Sequence, residues 1–207
     1  MSEIEKLARE YLDYLEVEKN RSPSTRANYE RCLNRFFTFS EAKLVKDLDE
    51  ATIRAFRLHL AQPAQGLKKR TQAYYIIVLR NFLKYLVRRD YPALSPDKIE
   101  LPKIPTRQIN IIGYEDLERL LEAPEGNDLK ALRDRAILET LFSTGLRVSE
   151  LCALNRYINI ERGELTVRGK GEKLRVVFLS SRAKQAIKSY LEKRSDPEEA
   201  LFVSFRK

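Results

Sequence analysis

The sequence predicts a mainly α protein with one small antiparallel β-sheet, arranged as two domains. Three observations carry this. Apolar residues recur at a helical period through most of the first ninety or so positions, prolines cluster near the middle of the chain, and two β-rich runs flank a glycine-containing turn in the second half. A length of 207 residues suits one large domain or two small ones. With 43% hydrophobic residues and only 7 Gly and 8 Pro, the composition fits a packed core rather than a disordered or fibrous chain.

The elements follow in order. Ile4, Leu7, Ala8, Tyr11, Leu12 and Leu15 form one helical stripe, and Tyr29, Cys32, Leu33, Phe36 and Phe37 form a second. Between them Asn20 to Thr25 supplies a turn and cap residues, with Ser22 and Pro23 suited to open the second helix. A third helix fits Glu50 to Ala61. A fourth runs from about Lys69 to Arg89 with Tyr74, Ile77, Val78, Phe82, Tyr85 and Leu86 inward. Pro92, Pro96, Pro102 and Pro105 then exclude a continuous helix, so 91–110 reads as a linker between a domain at 1–90 and another at 111–207. Beyond it, Gly113 to Asp116 opens a helix carrying Leu117, Leu120 and Leu121, and Leu132 to Phe142 forms a very apolar one. Glu164 to Arg168 and Leu174 to Leu179 are the two β runs, joined through Gly169-Lys170-Gly171 as a hairpin. A last helix fits Ser181 to Lys193.

Charge narrows the function classes. There are 39 Lys and Arg against 30 Asp and Glu, a net charge of +9. The excess is concentrated: between Ala51 and Arg89 the bases Arg54, Arg57, Lys68, Lys69, Arg70, Arg80, Lys84, Arg88 and Arg89 meet no Asp or Glu. A solvated helix face is one reading of a basic run. An exposed helix, however, gains stability from mixed i,i+4 pairs, so a face without acids points to an acidic partner, and double-stranded DNA fits. No apolar run reaches the roughly 20 residues a bilayer requires, and the charged start MSEIEKLARE is unlike a secretion signal, so a cytoplasmic protein is expected. Cys32 and Cys152 lie in apolar-periodic segments and are expected to be buried free thiols. His59, the single histidine, and two scattered cysteines make no zinc set, and neither metal nor cofactor is expected. The tyrosines and phenylalanines sit on core stripes, and no stacking motif of single-strand RNA readers is present.

Two positions could carry chemistry. Gly145 ends an apolar helix and the next is expected to begin near Leu146, placing Arg147 in its first turn, where a cation opposes the helix dipole unless an anion is bound. The alternative is a structural ion pair with Glu150. Lys170 stands at the hairpin tip. Such a lysine commonly serves solubility, yet a glycine on each side lets the turn lie close to a ligand while the ammonium projects forward.

The strings TGLRVSEL at 144–151 and INIERGELTVRGKGEKLRVVFL at 158–179 resemble the tyrosine recombinases of the phage-integrase family, most closely the Xer subgroup. SPSTRANYERCLNRFFTF and NFLKYLVRRDYPALSPDKI resemble that family's SAM-like core-binding domain, followed by its proline linker. The resemblance covers nearly the whole chain. It implies site-specific DNA cleavage and rejoining without metal, through a 3′-phosphotyrosyl link, in the manner of chromosome dimer resolution. By that resemblance Arg147 matches the first catalytic arginine, neutralising charge on the nonbridging oxygens, and Lys170 matches the hairpin lysine that protonates the leaving 5′-oxygen. Glu150 matches an acidic position that supports Arg147. The resemblance further implies a tetramer on DNA for the intact protein.

The chain departs from the family pattern in two ways. Asn155-Arg156-Tyr157-Ile158 is about one residue short, lacking an Asp commonly found before the Ile. The family's His-x-x-Arg pair, a further His or Trp and the nucleophilic Tyr lie beyond the hairpin, whereas this sequence stops at Lys207 and Tyr190 falls before the nucleophile's place. The expectation is therefore the first part of a catalytic domain, inactive alone and monomeric. A noncatalytic DNA-binding module occupying recombination sites is the alternative.

Overall fold

The computed structural model describes residues 1–102, 110–169 and 173–205. The chain divides into two compact units, Met1–Gln108 and Ile109–Lys207.

Four helices build the first unit: α1 (Glu3–Asp13), α2 (Pro23–Ser40), α3 (Glu50–Ala61) and α4 (Lys69–Arg88). Their starts are set by side chains that satisfy free backbone donors. Ser2 and Glu5 form a reciprocal capping box on α1, the Ser22 hydroxyl accepts from Thr25 N–H ahead of α2, and the Asp49 carboxylate accepts from Thr52 N–H at 2.7 Å to open α3. α1 does not end cleanly. It runs into a single π-helical turn, Tyr14–Glu18, in which Lys19 N–H reaches the Tyr14 carbonyl at 3.0 Å. Asn20, in the left-handed conformation with φ 47°, then turns the chain toward α2.

The core is an aromatic one. Phe36, Phe56 and Phe82 are fully buried, with Phe36 and Phe56 packed edge-on at 5.0 Å, and Ile4, Leu33, Leu60, Val78 and Leu86 fill the spaces between. α4 turns its stripe differently from the sequence expectation. Ala73, Tyr75, Ile76, Leu79 and Leu83 are buried with Val78, Phe82, Tyr85 and Leu86, while Tyr74 lies at the surface and Ile77 is half-buried. Tyr29, half-buried against Tyr11, meets Tyr74 edge-on at 6.3 Å, so this pair runs from the margin of the core out to solvent.

The second unit contains α5 (Tyr114–Glu122), α6 (Leu129–Thr144), the short α7 (Val148–Cys152), strands β1 (Glu164–Arg168) and β2 (Leu174–Phe178), and α8 (Ser181–Lys193). β1 and β2 pair antiparallel, with Leu165 opposite Val177 and Val167 opposite Arg175. Side chains alternate across a strand. Leu165, Val167 and Val177 therefore face a core shared with Leu151, Ala183, Ile187 and Tyr190, and Arg175 occupies the remaining inward position. Leu174, Val176 and Phe178 point outward and are exposed.

One buried cation organises the end of this unit. Arg194 pairs with Asp196 and donates to the carbonyls of Glu198, Ala200 and Leu201, folding the segment after α8 back over the core. Asn155 forms a bridge with Ala200, and its side chain accepts from Tyr157 N–H at 2.9 Å, which gives the shortened approach to the hairpin a defined turn. Cys32 is buried as expected, but Cys152 is exposed: a five-residue helix has one inner side, taken by Leu151, and Cys152 falls on the other. Among the described residues no helix is long and apolar enough to cross a membrane.

Candidate functional site

Arg147 does not lie in the first turn of α7. It is the N-cap residue, with extended backbone (φ −71°, ψ 153°), because Gly145 at φ 60° ends α6 in the left-handed conformation and the chain needs two more residues to re-enter a helix. Gly145 N–H donates to Leu141 carbonyl at 2.9 Å, and a residue with a β-carbon would be strained at that φ.

Glu150 fixes this arginine from two directions. One carboxylate oxygen accepts the Arg147 backbone N–H at 2.7 Å, and the other accepts its guanidinium at 2.9 Å. The structural ion pair read as an alternative is thus present. It does not consume the arginine, whose side chain is 63% exposed while that of Glu150 is 7% exposed. Arg175, reaching in from β2, closes the cluster by donating both guanidinium nitrogens to the same carboxylate at 2.9 Å each. These Arg175 bonds, with the Arg147 contacts adding to them, pull the Glu150 carboxyl down to about 2, so it stays ionised at any ordinary pH. A buried carboxylate held by two cations is a rigid mount for the more exposed one.

The mount also touches the hairpin neck. A β-carbon placed on Gly169 would stand 3.2 Å from the Arg175 guanidinium and 3.6 Å from the Glu150 carboxylate, and Gly169 N–H donates to Lys173 carbonyl at 2.8 Å. The hairpin therefore leaves its paired strands directly beside the group that holds Arg147. Lys170 itself lies outside the described residues.

A second buried carboxylate supports the same helix layer. Glu139 on α6 pairs with Arg182 of α8 at 2.9 Å, and Arg182 pairs also with Glu118 of α5. Neither Glu139 nor Arg175 was singled out in the sequence, since each finds its partner only through tertiary contact.

The nine bases between Ala51 and Arg89 divide into two groups. Arg57 donates to the Glu100 carbonyl, Arg80 to Pro96 carbonyl at 3.0 Å and to Asp97, and Arg89 pairs with Glu18 while lying 4.7 Å over the Tyr85 ring. These three tie the segment after α4, or the π turn, to the bundle. Arg54, Lys68, Lys69, Arg70, Lys84 and Arg88 are exposed and make no ion pair among the described residues. Tyr190 is fully buried, stacks on Phe202 at 5.9 Å, and its hydroxyl accepts from Val203 N–H at 3.4 Å. Among the described residues no three His, Cys, Asp or Glu side chains cluster to hold a metal.

The arginine mount beside a hairpin, joined to a basic helical unit, has counterparts in known proteins. The phage integrase family matches residues 111–207, and the phage integrase N-terminal SAM-like domain matches residues 8–90. Tyrosine recombinase XerC of Bacillus subtilis is 31% identical over 217 residues, covering 100% of this chain and 71% of that protein. The chain belongs to the phage integrase family of tyrosine recombinases. Another family member, XerC of Pelobacter propionicus, is 40% identical over 190 residues, covering 87% of this chain and 61% of that protein. The chain thus spans about 60 to 70% of the length of these recombinases. The recombinase fold recurs in the Tn1549 transposon integrase in complex with transposon right-end DNA (TM-score 0.72, 18% identity, 96% of this chain and 71% of that one). It recurs also in a lambda integrase dimer bound to a core site (TM-score 0.71, 15% identity, 99% and 74%).

Proposed function

We propose that this protein performs site-specific DNA recombination of the Xer type, cleaving and rejoining strands through a 3′-phosphotyrosyl intermediate. Residues 1–90 bind duplex DNA through the free cations of α3 and α4, 91–110 link, and 111–207 are the first part of the catalytic domain. The observation that carries the reading is the Arg147–Glu150–Arg175 cluster: a solvent-facing guanidinium held by a buried carboxylate, at the foot of the hairpin that bears Lys170.

In phosphoryl transfer negative charge grows on the nonbridging oxygens, and a preorganised cation stabilises it without reorganising during the reaction. Arg147 is assigned this role. Lys170 is assigned proton donation to the departing 5′-oxygen, which otherwise leaves as a poor alkoxide. Glu150 is a positioning residue, since it reaches the reaction only through Arg147.

The nucleophile is not assigned within 1–207. Tyr190 is enclosed in the core with its hydroxyl engaged, so in-line attack by it on a phosphate is blocked. The 207-residue chain alone is expected to bind duplex as a monomer without cutting it, while the complete gene product assembles on DNA as a tetramer. The test uses a nicked target duplex. The complete gene product should give a protein–DNA adduct that survives denaturant, and Arg147→Ala should abolish it. Lys170→Ala should be rescued by a 5′-bridging phosphorothioate, whose sulfur leaves without a proton, while Arg147→Ala should not. An adduct that persists in Arg147→Ala would overturn the assignment.

A further inference from the structure

Among the described residues of the second unit, two carboxylates are buried, Glu139 and Glu150, and they are matched with cations in opposite proportion. Glu139 pairs with Arg182, which also pairs with Glu118, so one cation serves two acids. Glu150 pairs with Arg147 and Arg175, so two cations serve one acid. The second arrangement leaves a positive charge over.

The way the two arginines approach decides which of them keeps it. Arg175 brings both terminal nitrogens, one to each Glu150 oxygen at 2.9 Å, the two-pronged match of a guanidinium to a carboxylate. Arg147 brings one guanidinium nitrogen to one oxygen at 2.9 Å, and its second bond to the carboxylate comes from its backbone N–H at 2.7 Å. These four N–H donors meet the roughly four lone-pair positions of a carboxylate, which has none to spare. Arg175 is also the more enclosed cation, its side chain 37% exposed against 63% for Arg147. It is held from β2 opposite Val167, and it packs against the hairpin neck, where a β-carbon on Gly169 would stand 3.2 Å from it. The space that a side chain would take at 169 lies against guanidinium.

An arginine paired one-to-one with a carboxylate offers an incoming anion a neutral pair instead of a charge. With Arg175 absent, Arg147 and Glu150 would be such a pair, and the lone pairs freed on Glu150 would draw the Arg147 guanidinium inward. We propose that Arg175 is a positioning residue for strand cleavage: it cancels the charge of Glu150, so that Glu150 can hold Arg147 in place while Arg147 keeps its full positive charge for the scissile phosphate. That role rests on the recombination reading, in which Arg147 meets that phosphate.

The complete gene product is compared with Arg175→Gln, Arg175→Lys, Glu150→Gln with Arg175→Gln, and Arg147→Ala. Adduct formation on a nicked target duplex is timed at saturating protein, and duplex affinity is measured separately. Arg175→Gln should form adduct about 10²-fold more slowly while its duplex affinity stays within about threefold of the wild type. The double variant removes acid and cation together and restores the uncompensated charge, so it should be about tenfold faster than Arg175→Gln although a further buried contact is lost. Arg175→Lys keeps the charge without the fork and should fall between Arg175→Gln and the wild type. A residue that merely braces the hairpin would give a double variant no faster than Arg175→Gln. That result with Arg147→Ala inactive, or an Arg175→Gln rate equal to the wild type, overturns the role of Arg175 alone. An Arg147→Ala variant that still cleaves overturns the assignment of the site, and this role with it. Thermal melts check that each variant is folded. Should Arg175→Gln melt below the assay temperature, the double variant decides: a rate within about tenfold of the wild type supports the role, and a slower one overturns it.

Discussion

The α4 face of the first unit and the hairpin base of the second use the same residue types to opposite ends. On α4, Lys69, Arg70, Lys84 and Arg88 stand without acids, and the field they make extends into solvent. At the hairpin base Arg147, Arg175 and Glu150 are locked together within 2.9 Å, leaving one guanidinium aimed outward. Unpaired cations attract a polyanion at long range and tolerate imprecision, because each phosphate repeats along the duplex. A paired cation gives up part of its reach and acquires a fixed direction, which transition-state stabilisation requires. Under the proposed function attraction and orientation fall to separate units, and the placement of carboxylates decides which is which.

The most severe way to break this division is to reverse the free charges. Lys68→Glu, Lys69→Glu and Arg70→Glu together should lower duplex affinity by about 10²–10³, equally for all sequences, in a salt titration. Loss confined to one sequence would place these side chains at base edges instead. Arg147→Ala should do the converse, leaving duplex affinity within about threefold while cleavage by the complete gene product falls by about 10³. Next in size is the framework under the paired cluster. Tyr190→Ala should cost about 3–5 kcal/mol in denaturant unfolding, with Tyr190→Phe near 1 kcal/mol, because the ring fills the core and the hydroxyl makes one long bond.

Acid separates the two regions more gently. Glu150 titrates at about 2 against an ordinary 4.5, and Asp196 at about 2 against 3.8, both lowered by arginine bonds. Lowered carboxyl values mean that the stabilisation is complete above those ordinary values and is lost as pH falls toward 2. Tm should therefore drop across that interval, less steeply in Glu150→Gln, while Lys69→Gln with Arg70→Gln should keep the wild-type profile. A similarly small effect is expected for Gly145→Ala, about 1–2 kcal/mol in denaturant unfolding, from the left-handed backbone that ends α6 ahead of Arg147.

Helix boundaries were legible because their signals are local. Ser22 with Pro23 and Gly145 each act within one turn, and the strand limits follow from alternation around the glycine turn. The α4 stripe was misread at Tyr74 because Tyr74 to Leu79 is apolar throughout, and such a run fixes no phase. Arg147 and Glu150 were legible as a close pair. Arg175 was not, since its position opposite Val167 emerges only once the strands are in register, and Glu139 depends on Arg182 in a helix that follows the hairpin.

The π turn after α1 has a consequence for length. Tyr14–Glu18 holds one more residue per turn than the helix it extends, so removing the exposed Val17 would restore α-helical winding. The bond from Lys19 N–H to the Tyr14 carbonyl would then span four residues instead of five, the α-helical spacing. Lys19 would stay over the Tyr14 ring and Glu18 beside Arg89, with no charged or aromatic side chain changed. The wide turn thus stores one residue of slack, and an alignment gap at 17 is a change in length that the unit can absorb.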